Sequence, residues 1–113
     1  MDKLIIKGGS KISGSVNVHG SKNAALPIIV SSLLSEKTLK LSNVPNVVDV
    51  LNLIKLLKNY GVKIEHKKNK LKINPSKIKN LSADYDVVRK MRASILILGP
   101  LLSRFGEARI SLP

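Results

Sequence analysis

Lys22 and Asn23 stand together in "HGSKNAALPIIV" (19–30), at the head of a run that holds no other charge. A surface helix scatters charge along its length, whereas this segment gathers it at one end. If a helix begins after Gly20-Ser21, its first backbone N–H groups lack partners and its dipole is positive there, which makes that end an anion site. The Lys22 ammonium adds a full charge, and the Asn23 amide both donates and accepts. Together they suit a phosphate with a polar neighbour. A P-loop is excluded, because the order is Gly-Ser-Lys rather than Gly-Lys-Ser and no glycine stands where that loop requires one. The competing account is a lysine solvated at a helix start, which the dipole slightly disfavours.

A second constellation lies in "VVRKMRASILILGPLLSRFG" (87–106). Arg89 and Arg92 are three apart and would share a helix face. Arg92 borders an apolar run where an unpaired charge is costly, so it needs a partner, and a guanidinium fork suits phosphate or carboxylate. That partner is either a ligand or one of Asp84, Asp86 and Asp49. Asp49 falls early in its own helix, where a carboxylate is stabilised, and a structural role is expected of it. Arg104, near a helix end, reads as a surface residue that complements the dipole, and Ser94 and Ser103 as packing residues.

Other chemistries are thin. The 113 residues contain no cysteine, so they hold no disulfide, thiolate metal site or cysteine nucleophile. His19 and His66 stand alone, without spaced carboxylates, and neither metal nor cofactor is expected. The net charge is +13, and sixteen of the twenty basic residues are lysine. The charge admits an RNA or acidic partner, or steering of an anionic small molecule. It also fits a plain preference for lysine, since only Tyr60, Tyr85 and Phe105 could stack on bases. The longest uncharged stretches fall short of the ~20 residues that span a bilayer, and no secretory signal opens the chain, so a cytoplasmic location is expected.

The elements that must position these residues follow from the periodicities. "KLIIK" (3–7) and "KISGSVNVH" (11–19) alternate around Gly8-Gly9 and predict a hairpin, with Leu4, Ile6, Ile12, Val16 and Val18 on its apolar side. A helix starts near Ser21, which can cap it. Pro27 interrupts that helix, whose apolar circumference predicts burial all round. "KTLKLS" (37–42) is a strand with Leu39 and Leu41 inward. A second helix covers about 47–59 and is closed by Gly61. "VKIEH" and "KLKIN" form another hairpin through Lys67-Lys68-Asn69. A third helix is expected from Tyr85 to Phe105, broken near Gly99-Pro100, and "ARISL" (108–112) is a last strand. Hairpins separated by buried helices make an α/β chain that is not doubly wound.

The blocks "GSKNAALPI", "NVPNVVDV", "LLKNYGVKIE" and "YDVVRKMRASILILGPLLSRFGEARISLP" resemble, in order and over essentially the whole chain, the N-terminal part of the UDP-N-acetylglucosamine enolpyruvyl transferases, within the EPSP synthase family. The resemblance implies part of an inside-out α/β barrel, with sheets outside and helices inside. It also implies transfer of the enolpyruvyl group of phosphoenolpyruvate to the 3-hydroxyl of UDP-N-acetylglucosamine, with release of phosphate, at the head of peptidoglycan synthesis. On that resemblance Lys22 and Asn23 bind phosphoenolpyruvate and Arg92 serves the UDP-sugar. The family's acid cysteine follows the "SLP" that ends here at Pro113. Residues 1–113 are therefore expected to be an incomplete N-terminal portion, without its catalytic loop and second domain, inactive alone and completed by the rest of the transferase chain. The alternatives are the sister family acting on shikimate phosphate, and a truncated basic module for RNA or an acidic partner.

Overall fold

The computed structural model describes residues 1–79, 81, 89 and 91–110, apart from the side chain of Ala93. Helix α1, Lys22–Ser31, runs into a 3-10 turn at Ser32–Leu34. Strand β1, Leu39–Leu41, precedes helix α2, Val48–Asn59, which is followed by strands β2, Lys63–Lys67, and β3, Lys70–Asn74. A 3-10 segment, Arg92–Ile97, leads into helix α3, Leu98–Phe105. The three strands form one antiparallel sheet in the order β1-β3-β2.

Register decides the two faces of this sheet. Leu39 pairs with Ile73, which also pairs with Ile64, so these side chains share the inner face. One residue along, Lys40 pairs with Lys72 and Lys72 with Glu65, and the outward face is therefore charged. The core lies between the inner face and the helices, built from Ile29, Leu33, Val50, Leu53, Leu56, Leu57, Ile73, Ile97 and Leu101, each fully buried. Helix α1 packs on α2, and α3 packs on the 3-10 turn after α1.

Helix α2 matches its predicted span, and Gly61, at φ +97°, turns the chain from α2 into β2. Only glycine takes that backbone conformation without strain. A Cβ there would also press on the Lys77 carbonyl oxygen and the Lys79 nitrogen, both at 2.9 Å.

Several expectations need correction. Residues 1–19 contain no strand, and Leu4, Ile6, Ile12, Val16 and Val18 are exposed. Alternation supplies one apolar face, and an isolated two-stranded hairpin is marginal unless something covers that face. Nothing in the described core does so. Helix α1 is buried on one stripe only, Ala25, Leu26, Ile29 and Val30, while Ile28 on the opposite side is exposed. Ser21 occupies the cap position, but its side chain makes no capping bond.

The third helix also departs from its predicted form. Arg92–Ile97 is 3-10, the α-helix begins only at Leu98, and Gly99 and Pro100 sit in its first turn instead of breaking it. Proline has no N–H to give to a carbonyl four residues back, so it is tolerated in a first turn, where those groups lack helical partners anyway. The earlier part of that expectation, with Tyr85, Asp84 and Asp86, lies outside the described residues. Of the predicted last strand, Arg109 alone forms a β-bridge, its N–H donating to the Leu81 carbonyl at 2.9 Å, and residues 111–113 also lie outside.

Candidate functional site

Helices α1 and α2 start side by side, and their first turns open on one cleft. Its volume is about 320 Å³, and Lys22, Asn23, Leu26, Asp49, Met91 and Arg92 line it. Lys22 is the first residue of α1, Asp49 the second of α2, and Arg92 the first of the 3-10 segment. The expected site residues Lys22, Asn23 and Arg92 thus converge from two elements, and α2 adds Asp49 from a third. Two cations, one carboxylate and one amide gather where two helix dipoles are positive, an arrangement that attracts anions.

The Lys22 Nζ lies 2.9 Å from Asp49 Oδ2, with both side chains nearly half exposed. Asp49 is thus paired with Lys22 and not with Arg92, whose side chain makes no ion pair or hydrogen bond among the described residues. Arg89 does not line the cleft, and it precedes the 3-10 segment rather than sharing an α-helical face with Arg92.

The entry to α1 is held by a residue the sequence reading missed. Asn43 accepts a hydrogen bond from the Gly20 N–H through Oδ1 at 3.2 Å and donates through Nδ2 to the Val18 carbonyl at 3.1 Å. Its own φ is +56°, a conformation asparagine tolerates better than most residues. The approach is so close that a Cβ on Gly20 would overlap the Asn43 carbonyl oxygen. The only signal in the sequence is an asparagine two residues before a proline, which predicts a turn but not its partner.

Arg104 is also not the surface residue expected. Its side chain is only 11% exposed. It donates to the carbonyls of Leu33, Ser35 and Pro75 at 3.2, 3.2 and 3.0 Å, and stacks on the Phe105 ring. It ties α3 to the turn after α1 and to the end of β3, so its role is architectural. Ser94, read as a packing residue, is buried and donates to the Met91 carbonyl at 2.8 Å, just behind Arg92.

Comparison with known proteins puts this geometry in context. The family model described as EPSP synthase (3-phosphoshikimate 1-carboxyvinyltransferase) matches residues 6–113. The chain is 54% identical over its full length to the UDP-N-acetylglucosamine 1-carboxyvinyltransferase of Campylobacter hominis, and 51% identical to that of Geotalea uraniireducens. It spans 27% of the length of each. Among solved structures, the enolpyruvyl transferase NikO from Streptomyces tendae superposes with a TM-score of 0.78 over 94% of this chain and 25% of its own, at 23% identity. That likeness establishes the enolpyruvyl transferase fold, of which this chain is a part. By the match across residues 6–113 and the identities above, the chain belongs to the EPSP synthase (3-phosphoshikimate 1-carboxyvinyltransferase) family.

Proposed function

We propose that these residues are the N-terminal portion of a cytoplasmic enolpyruvyl transferase that joins phosphoenolpyruvate to the 3-hydroxyl of UDP-N-acetylglucosamine and releases phosphate. The observation that carries this reading is the convergence of Lys22, Asn23 and Arg92 on one cleft, in a chain whose full-length relatives are named for that activity. In the reaction the hydroxyl gives up its proton as its oxygen bonds to C2, and C3 takes a proton as the C2–C3 double bond becomes single. The tetrahedral adduct then loses phosphate and a C3 proton, which restores the double bond as an enolpyruvyl ether.

Each residue has a part that follows from its chemistry. Lys22 grips the phosphate as a point charge beside the free N–H groups of α1. Asn23 hydrogen-bonds a polar neighbour, and Arg92 offers a planar fork to the nucleotide-sugar's phosphates or to the carboxylate. These side chains bind and orient the substrates. Completion of the active site by the remainder of the transferase chain belongs to the same proposal.

The test is a full-length transferase carrying these 113 residues. Lys22→Ala should raise the KM for phosphoenolpyruvate at least tenfold and lower turnover, and unchanged values for both would refute the phosphate role. Competition between UDP-N-acetylglucosamine and shikimate phosphate separates this reading from the sister family.

A second reading draws on the outward face of the sheet. Lys40 and Lys72 are paired there and so are Lys67 and Lys70, with Glu65 beside Lys72. Such a face would serve a basic module for RNA or an acidic partner. Binding to RNA that survives moderate salt would favour it, whereas loss of binding leaves only nonspecific attraction.

A further inference from the structure

Among the described residues, Asp49 is the one acidic side chain that lines the cleft. A carboxylate in an anion site is a conflict to be explained, since it lowers the field that draws the ligand in. The backbone around it is firmly set. Asp49 lies in the first turn of α2, and the next turns of that helix send Val50, Leu53, Ile54 and Leu57 into the core. The positive end of the helix dipole favours an acidic side chain at that position. Lys22, by contrast, carries its ammonium on a flexible four-carbon stem with many rotamers. The rigid member of the pair is therefore the acid, and the mobile member is the base it holds at 2.9 Å.

We propose that Asp49 is a positioning residue: its carboxylate is the internal counter-ion that holds the Lys22 ammonium at the cleft until the phosphate of the donor takes it over. The proposal rests on the reading of the cleft as a phosphoenolpyruvate site and deepens it. With Asp49 present, the described residues of the cleft offer two cations against one carboxylate, and an incoming anion must compete for Lys22. Weak anions lose that competition, and a doubly charged phosphate that also reaches Arg92 and the helix N–H groups wins it. Holding the ammonium close to its working place limits the ordering left for the ligand to do. Removing the carboxylate should therefore separate affinity from turnover: anions bind more readily, but the ammonium no longer meets them in the productive place. Both side chains are nearly half exposed, so water and salt screen the pair and the affinity change is modest.

The experiment is steady-state kinetics of Asp49→Asn in the full-length transferase carrying these residues, with inorganic phosphate as a competing probe. The expected result is a two- to fivefold lower inhibition constant for phosphate, a KM for phosphoenolpyruvate no higher than the parent's, and a kcat lower by about tenfold, the scale that small misplacements reach. Asp49→Glu keeps the charge on a longer stem. Its phosphate inhibition should stay within about twofold of the parent while kcat still falls. A purely structural role would lower the melting temperature and leave the split between KM and kcat untouched. Unchanged phosphate inhibition and kcat in a folded Asp49→Asn protein would overturn the proposal, and so would a raised KM with unchanged kcat. Lys22→Ala, measured alongside, keeps the two ideas apart. If it weakens phosphoenolpyruvate binding while Asp49→Asn changes nothing, the phosphate site stands and the positioning role falls. If Lys22→Ala also changes nothing, both fall.

Discussion

The hairpin of β2 and β3 sends Ile64, Leu71 and Ile73 into the core, whereas Ile12, Val16 and Val18, spaced in the same alternating way, lie in water. Both stretches carry β-branched residues on one side and polar residues on the other. The difference is in what meets the apolar side. Residues 63–74 are delivered by α2 through Gly61 onto a third strand and a helix face, while residues 1–19 are tied to the described body at Asn43, by its two bonds to Val18 and Gly20. Alternation tells which side chains share a face, and only the packing decides whether that face is covered.

The largest expected effect breaks this contrast directly. Ile73 is fully buried at the centre of the sheet, paired on both sides. Ile73→Ala should cost about 2–5 kcal/mol in urea unfolding of the chain, from lost burial plus the cavity left behind. The matched change Ile12→Ala should leave the unfolding midpoint where it is. A comparable loss from Ile12→Ala would mean that residues 1–19 are packed after all.

Next in size is Arg104. Its three carbonyl partners belong to segments far apart in sequence, and the guanidinium is mostly buried. Arg104→Met leaves those carbonyls without their charged donor and should cost about 2–3 kcal/mol, the range of hydrogen bonds to charged groups. Arg104→Lys keeps the charge but loses the planar guanidinium stacked on Phe105, and should recover only part of it. Thermal unfolding of both variants measures the difference, and a loss well below 1 kcal/mol for the Met variant would make the knot incidental.

A smaller effect separates two glycines. Gly61 and Gly14 both have positive φ, +97° and +139°. Gly61 is hemmed in by the Lys77 and Lys79 backbone, and a Cβ on Gly14 would meet nothing within 4 Å. Gly61→Ala should cost about 1–2 kcal/mol, because the backbone cannot leave its conformation without undoing the turn from α2 to β2. Gly14→Ala should cost almost nothing, because residues 1–19 can relax around it. Equal losses in denaturant titrations would show that the two turns are equally constrained.

What the sequence made legible divides along the same line. Local periodicity located α2, Gly61 and the β2–β3 hairpin, because each depends on neighbours within a few residues. The "KNAALPI" and "MRAS" blocks pointed to Lys22, Asn23 and Arg92, and the fold gathers them in one cleft. The Asn43 clasp, the Arg104 knot and the Lys22–Asp49 pair were not legible. Their partners lie 23 to 71 residues away for the hydrogen bonds, and the ion pair joins the starts of two different helices. Nothing in the spacing of single residues encodes such meetings. The 3-10 form of Arg92–Ile97 was missed for a different reason: its apolar pattern reads as α-helix, and the proline that shifts the α start to Leu98 comes only after it.

The smallest effect concerns pH and the packed region alone. Tyr60 closes α2 and is only 1% exposed, and burial pushes its phenol above the ordinary tyrosine value. The neutral phenol is therefore favoured in the folded chain. Below about pH 10 the phenol is protonated in folded and unfolded chains alike, and Tyr60 adds no pH dependence. Above that value the unfolded chain loses the proton first, so the unfolded state binds fewer protons and stability falls as pH rises. The fall from this one group cannot exceed about 1.4 kcal/mol per pH unit. Tyr60→Phe removes it, so urea midpoints of parent and variant should differ little near pH 8 and move in the variant's favour at about pH 11. Phenolate absorbance, taken as the difference between parent and variant, should show Tyr60 ionising late and together with unfolding. Ionisation at the ordinary value with no change in relative stability would mean that water reaches the ring and that the core is open beneath α2.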